Sequence, residues 1–224
     1  MNPRSRLLAL SLSSFLATAC AIPNETADFA TNELLYVDVP FATKSPGDRE
    51  VFVAPVADAR DKTVLPTQDR GFPISYGTDD FWERPINEMM ADVLHRQIAE
   101  SQLFAKVVDK PTPQALVIKP TLVAFTTGAT EAISGSRSFA EVGLKLQVYG
   151  PADAQGTRPA LLEQTFGNRQ LSALEVSPVS PYRLIGRALQ LSMQKLLAGL
   201  DGSNVSRSNV PTNDDLGIPA APAN

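Results

Sequence analysis

Two stretches of the chain carry apolar residues at helical spacing. The first predicts a helix over about 85–101, because Pro85 suits a first helical turn and the apolar residues after it recur every three or four positions. Its stripe consists of Ile86, Met89, Met90, Val93, Leu94 and Ile98. The second predicts a helix over 182–200 that ends at Gly199. Its stripe consists of Ile185, Ala188, Leu189, Ser192, Met193, Leu196 and Leu197. Each stripe requires a hydrophobic surface on which to pack.

Other stretches follow the two-residue period of strands. Residues 139–149 alternate most regularly, which is typical of an antiparallel strand with one buried face. The apolar residues of that strand are Ala140, Val142, Leu144, Leu146 and Val148. Further strands are predicted at 34–39, at 51–56, near the end of 101–108, at 115–126 and at 161–169. In 115–126, Leu116, Ile118, Leu122 and Ala124 are expected on one side. Pro55 indicates an edge or a bulge at the end of strand 51–56.

The predicted order of elements is β-β-α-β-β-β-β-α. Two amphipathic helices and several one-sided strands favour two layers. We therefore predict an α+β fold in which both helices pack on one face of a mixed, mostly antiparallel sheet.

The first twenty residues predict an export signal. Arg4 and Arg6 precede an apolar run, 7–16, which is too short to span a bilayer, and small residues lead into Cys20, the only cysteine. This segment resembles the signal of bacterial lipoproteins, although Ala17 stands where leucine is commonest. The resemblance implies cleavage before Cys20 and acylation of its thiol and new amino group. The alternative is an ordinary signal peptide cut near Ala19.

Composition divides the chain into four parts. Residues 1–19 are the predicted signal peptide, and 20–32 are the lipidated cysteine with a polar, flexible tether. Residues 33–200 form the folded domain. Residues 201–224 hold few large apolar side chains, so we expect them to be disordered.

The charge of the chain limits its partners. The net charge is −4, and it becomes −6 without residues 1–19, which hold two arginines and no acid. No cluster of Lys and Arg follows, so we expect no nucleic-acid partner and no polybasic membrane patch. Attachment to a membrane would come from the lipid.

The residues offer little catalytic chemistry. His95, the only histidine, should point to solvent from the first helix, which argues against a catalytic triad or a histidine metal site. Asp58 and Asp61 could hold a metal or a carbohydrate, or belong to a turn of compensating charges. The pair 79–80 could bind a hard cation, but capping the next helix explains it more simply. We expect no catalytic residue, no metal and no cofactor.

The loop 58–84 is the candidate site for a partner. Its candidate binding residues are Tyr76, Phe81, Trp82 and Arg84, because an aromatic cluster on a loop is often a recognition site. The alternative is that Trp82, the only tryptophan, attaches the loop to the core.

Two segments resemble a known family. Residues 81–107 combine an aromatic-rich start, a proline, an amphipathic helix and the sequence SQLFAKV, and residues 51–60 (VFVAPVADAR) look like the strand that opens the same domain. Over about 50–200 the chain resembles the ABC-type transport auxiliary lipoproteins and related α/β envelope lipoproteins. The resemblance implies an accessory protein that binds other envelope components and has no catalytic residues. By the sorting rule of such lipoproteins, Ala21 after the cysteine implies the outer membrane.

These observations together predict a lipid-anchored accessory protein that faces the periplasm and is not an enzyme. Its expected partner is an envelope protein complex, in the first place a transport complex. One alternative is a role in lipopolysaccharide, outer-membrane or cell-wall assembly. Another is a periplasmic hydrolase with an unrecognised site.

Overall fold

A computed structural model describes residues 27–60, 82–132, 135–171 and 181–208. Their elements occur in the predicted order, β-β-α-β-β-β-β-α. The bounds are β1 Glu50–Val53, β2 Ala57–Asp58, α1 Ile86–Glu100, β3 Lys106–Val108, β4 Leu116–Ala132, β5 Gly135–Tyr149, β6 Ala160–Leu171 and α2 Pro181–Ser203. The predicted α+β class is confirmed.

The strands form one mixed sheet. Its order is β3-β1-β4-β5-β6, and β2 also pairs with β4. Strand β1 is parallel to β3 and β4, which requires a crossover connection, and α1 lies in the connection from β1 to β3. The long strands β4, β5 and β6 are antiparallel. The buried residues of both helices and of the strands form one hydrophobic cluster, so the helices share one face of the sheet.

Both helical stripes are buried as predicted. Every residue of the first stripe lies on the buried face of α1, and every residue of the second stripe lies on the buried face of α2. Helix α2 does not end at Gly199, however. The ring of Phe166 packs so close to this position that a Cβ atom would lie 2.4 Å from its Cε1 atom. Gly199 therefore makes room for Phe166, and the helix continues to Ser203. None of the helices in the described ranges is long and apolar enough to cross a membrane.

The predicted strand 34–39 is wrong. Leu34 is 85% exposed, and the backbone turns here because the carbonyl of Asn32 accepts hydrogen bonds from the amides of Leu35 and Tyr36. The segment then runs across both helices. Its backbone groups bond to glutamine side chains there: the amide of Val39 donates to Gln97 (2.9 Å), and the carbonyl at 37 accepts from Gln190 (2.9 Å).

The number of strands is nevertheless six, because the predicted strand 51–56 is two strands. Pro55 has no amide hydrogen to donate, and the strand is interrupted around it, which gives β1 before it and β2 after it. Both segments pair with β4 in parallel. Pro55 therefore does interrupt the strand, as its position predicts.

A bulge changes the inward side of β4. The pairing with β5 shifts between Leu122 and Ala124, so one additional residue lies in β4. After the bulge, Phe125 and Thr127 are buried, whereas the alternation predicts Ala124 on the inner side. The alternation predicted for β5 is confirmed.

The ordered domain is longer than 33–200. Phe29, in the predicted tether, is 1% exposed in the core. At the other end, Val205 and Ser206 are buried, and the Ser206 carbonyl accepts hydrogen bonds from the amides of Asp48 and Arg49. Both segments look polar in sequence, but the first buries Asp28, Phe29 and Ala30 against the domain, and the second buries Val205 and Ser206. The predicted signal peptide and residues 209–224 lie outside the described residues.

Candidate functional site

Four aromatic rings meet where the N-terminal segment (residues 27–41) joins the domain. The ring of Trp82 lies edge-on to Phe29 (5.3 Å between centroids), to Phe125 (5.5 Å) and to Tyr182 (5.1 Å). These edge-to-face distances are favourable for aromatic pairs. The rings come from the N-terminal segment, the residues before α1, β4 and the start of α2. Trp82, which is 4% exposed, thus joins four parts of the chain.

Arg84 fastens the N-terminal segment beside this cluster. Its Nε donates to Asp28 (2.8 Å), and its other end donates to Asp92 of α1 (2.5 Å). Asp28 is buried, and its second oxygen accepts the amide of Ala30 (2.7 Å). The backbone adds to this attachment, because Ala27 and Trp82 form an isolated parallel β-bridge. The hydrogen bonds from Arg84 to Asp28 and Asp92 raise the pKa of the guanidinium.

A second arginine, in α1, fastens the same N-terminal segment to the domain. Arg96 of α1 donates to both carboxylate oxygens of Asp38 (2.5 and 3.0 Å) and to the carbonyl of Ala30 (3.1 Å). The Asp38 hydrogen bonds raise the pKa of Arg96. Nearby, the hydroxyl of Tyr36 donates to Gln97 (3.3 Å), and burial raises the pKa of Tyr36 above its ordinary value. The phenol is therefore neutral at physiological pH.

A cavity of about 420 Å³ opens where the N-terminal segment, β6 and α2 come together. Its lining is formed by Asp38, Val39, Pro40, Gln170, Arg187, Gln190, Leu191 and Gln194. These residues are partly polar and partly apolar, and they come from three segments that are far apart in sequence. Sequence patterns alone therefore gave no reason to group them.

The structure describes two of the four predicted partner-binding residues, Trp82 and Arg84, and both contact the domain itself. Trp82 is part of the core, which is the place that the packing alternative gives it. Arg84 is held between two carboxylates of the domain itself. Tyr76, Phe81 and the lipidation candidate Cys20 lie outside the described residues. For those three, binding and lipidation remain predictions.

The other chemical candidates are placed as follows. His95 is exposed on α1, as predicted. Asp58 receives two hydrogen bonds from the side chain of Arg60 (2.8 and 2.7 Å), and the Arg60 side chain is only 6% exposed. Asp61 and the pair 79–80 lie outside the described residues. Where the chain is described, no three His, Cys, Asp or Glu side chains are grouped as a metal site would need.

Comparison with solved structures finds several similar chains. A Xanthomonas campestris protein with the family designation DUF330 matches with a TM-score of 0.53 and 14% identity, over 76% of this chain and 93% of that one. A hypothetical protein from Chlamydia trachomatis has a TM-score of 0.46 and 11% identity, over 71% and 99%. A lipoprotein from Neisseria meningitidis has a TM-score of 0.34 and 13% identity, over 67% and 99%.

No family model and no curated protein sequence matches the chain. The likeness to the Xanthomonas protein is therefore one of fold, which the chain shares over nearly the whole length of that protein.

Proposed function

We propose that the protein is a lipid-anchored accessory protein of the bacterial envelope, which binds a component of a transport complex and catalyses no reaction itself. The acyl chains would be carried by Cys20. The proposed location is the outer membrane with the domain facing the periplasm, as Ala21 implies for a lipoprotein.

The main support for this proposal is the attachment of the N-terminal segment to the domain. Trp82, Arg84 and Arg96 hold that segment against the domain from Ala27 onward. Seven residue steps then separate Ala27 from Cys20, and seven residues span at most about 25 Å. A domain anchored in this way would stay close to the membrane surface. This arrangement suits a protein that meets its partner at the membrane.

The described charged residues support a binding role over a catalytic one. Three of the buried or half-buried arginines hold carboxylates of the same domain: Arg60 with Asp58, Arg84 with Asp28, and Arg96 with Asp38. The pairs of Arg84 and Arg96 each fasten the N-terminal segment to the rest of the domain, and the pair of Arg60 and Asp58 is local. The fold shared with the DUF330 protein is compatible with this role, because fold alone implies no reaction.

Site-specific photocrosslinking in cells tests the partner. A photoreactive residue is placed at Thr165, exposed on the sheet face away from the helices, or at Arg183, exposed on α2. We expect a discrete adduct from one of these two faces, because a docked partner covers one surface. Mass spectrometry should identify the adduct as a component of a transport complex. A Cys20→Ser version of the same variant is the control, and it should lose the adduct.

Two results would contradict the proposal. One is a partner that belongs to lipopolysaccharide or outer-membrane assembly, which would favour the assembly alternative. The other is an adduct that forms equally well in the Cys20→Ser control, because binding would then not depend on the anchor.

A further inference from the structure

The cavity between the N-terminal segment, β6 and α2 holds a positive charge that the described chain does not neutralise. Arg187 is exposed, and within the described residues its guanidinium has neither an ion pair nor a hydrogen bond. The one acid of the lining, Asp38, is already held by Arg96 through both carboxylate oxygens. The lining therefore attracts an anion.

The charges of α2 add to this attraction. Between Pro181 and Leu200 the helix carries Arg183, Arg187 and Lys195 and no acid. Lys195 is engaged, because its ammonium donates to the Gly167 carbonyl and to Asn168 (both 3.0 Å). Arg187 is the arginine of this helix that lines the cavity.

Three carboxamides complete the polar part of the lining. The nitrogen of Gln190 donates to the carbonyl of Val37, which fixes that side chain and leaves its oxygen as an acceptor. The side chains of Gln170 and Gln194 form no hydrogen bond with the described residues. A carboxamide both donates and accepts, so these groups can bind oxyanion oxygens and hydroxyl groups alike.

We propose that this cavity binds a phosphate-bearing, hydroxylated molecule of the size of a phosphoglycerol. Arg187 binds the phosphate, because guanidinium–phosphate hydrogen bonds are charge-assisted and match in geometry. Gln170 and Gln194 bind the remaining phosphate oxygens and the hydroxyl groups. The carbon atoms lie against the apolar part of the lining, which is Val39, Pro40 and Leu191. The volume is within the ~300–1,000 Å³ usual for small-molecule sites.

Phosphate fits this lining better than carboxylate does. The donors come from two elements that line the cavity, Gln170 from β6 and Arg187 and Gln194 from α2. A phosphate monoester offers three oxygens in different directions, whereas a carboxylate offers two in one plane. The phosphate can be a free metabolite or part of a lipid headgroup, whose phosphodiester keeps two free oxygens and one negative charge for Arg187 to bind.

Calorimetric titration of the full chain, purified in detergent, tests the site. The probes are sn-glycerol 3-phosphate and glycerate, which has the same kind of hydroxylated skeleton with a carboxylate. We expect glycerol 3-phosphate to bind at least about ten-fold more tightly than glycerate. Arg187→Gln should weaken the binding of glycerol 3-phosphate by about ten-fold or more, because it removes the charge-assisted hydrogen bonds.

Arg183→Gln is the matched control, since it removes the same charge from the same helix without altering the lining. It should change the affinity by about two-fold or less. Both arginines are exposed, so equal unfolding midpoints for the two variants should show that the fold is intact. Equal losses of affinity in Arg187→Gln and Arg183→Gln would overturn the proposal. Equal affinities for glycerate and glycerol 3-phosphate would also overturn it. So would the absence of binding of glycerol 3-phosphate at 10 mM, roughly the weakest affinity that the method resolves.

A soluble headgroup distinguishes the two sources of phosphate without interference from the acyl anchor. Glycerophosphoglycerol is the deacylated headgroup of phosphatidylglycerol and is titrated in the same detergent solution. Binding of glycerophosphoglycerol that competes with glycerol 3-phosphate, and that Arg187→Gln loses, identifies a lipid headgroup as the ligand. Binding of glycerol 3-phosphate without binding of glycerophosphoglycerol identifies a free metabolite. Binding of glycerophosphoglycerol that is unchanged in Arg187→Gln contradicts the site. This experiment does not depend on the envelope partner, so its failure would leave the proposed function untouched.

Discussion

Trp82→Ala is expected to lower the free energy of unfolding by about 3–5 kcal/mol. Its ring contacts Phe29, Phe125 and Tyr182, and replacing it leaves a cavity that three rigid rings cannot fill without moving. Urea unfolding of the full chain, followed by far-UV circular dichroism, measures the effect. Fluorescence is unsuitable, because Trp82 is the only tryptophan.

Trp82→Phe is the control for this experiment. It keeps an aromatic ring at the centre of the cluster, so the loss should be smaller than for alanine. A loss below about 1 kcal/mol for Trp82→Ala would be typical of a surface position. In that case the ring would be available to a partner, and the recognition role predicted from the sequence would be favoured.

Gly186→Ala is expected to destabilise the domain by about 3 kcal/mol, the upper end of the usual cost of overpacking. A Cβ atom at 186 would lie 1.7 Å from the carbonyl oxygen of Leu35. Both groups belong to the backbone, so no flexible side chain can move aside. The N-terminal segment would have to leave α2, with loss of the Gln190 and Gln97 hydrogen bonds to it.

Gly202→Ala is the matched control, because this glycine lies in the same helix, and apart from the adjacent backbone of that helix nothing lies within 4 Å of the added Cβ. Alanine is the better helix former by about 1 kcal/mol, so this variant should be as stable as the wild type or more so. Urea unfolding of both variants gives the comparison. Equal stabilities of Gly186→Ala and Gly202→Ala would mean that the N-terminal segment does not lie against α2.

The regular elements were predictable because each repeats a short pattern. The stripes of α1 and α2 and the alternation of β5 each involve five or more apolar residues, and the core they imply is the one observed. Residues 34–39 also look like a strand in sequence, but their backbone partners include the side chains of Gln97 and Gln190. No local pattern shows that a distant glutamine replaces a neighbouring strand.

The contacts of the N-terminal segment were the main feature that sequence reasoning missed. Residues 27–32 are short and mostly polar, so composition assigned them to the tether. The one large apolar residue among them, Phe29, was the signal, because it is buried with Trp82. Asp28 and Arg84 lie 56 positions apart, and two opposite charges at that separation become meaningful only when the fold brings them together.

The β4 bulge shows a third limit. A single additional residue near Val123 reverses which side of the strand faces the helices, so that Phe125 becomes a core residue. A strand of this length has many positions at which such a shift could occur. The residues alone therefore predict the strand, but not the side that its second half buries.

Metabolic labelling with palmitate tests the central claim, which is that Cys20 anchors this domain to the envelope. The wild-type chain should be labelled and should fractionate with membranes. Cys20→Ser should carry no label, because the chain has no other cysteine to acylate. Label that persists in Cys20→Ser, or a wild-type chain that is exported without label, would contradict the account.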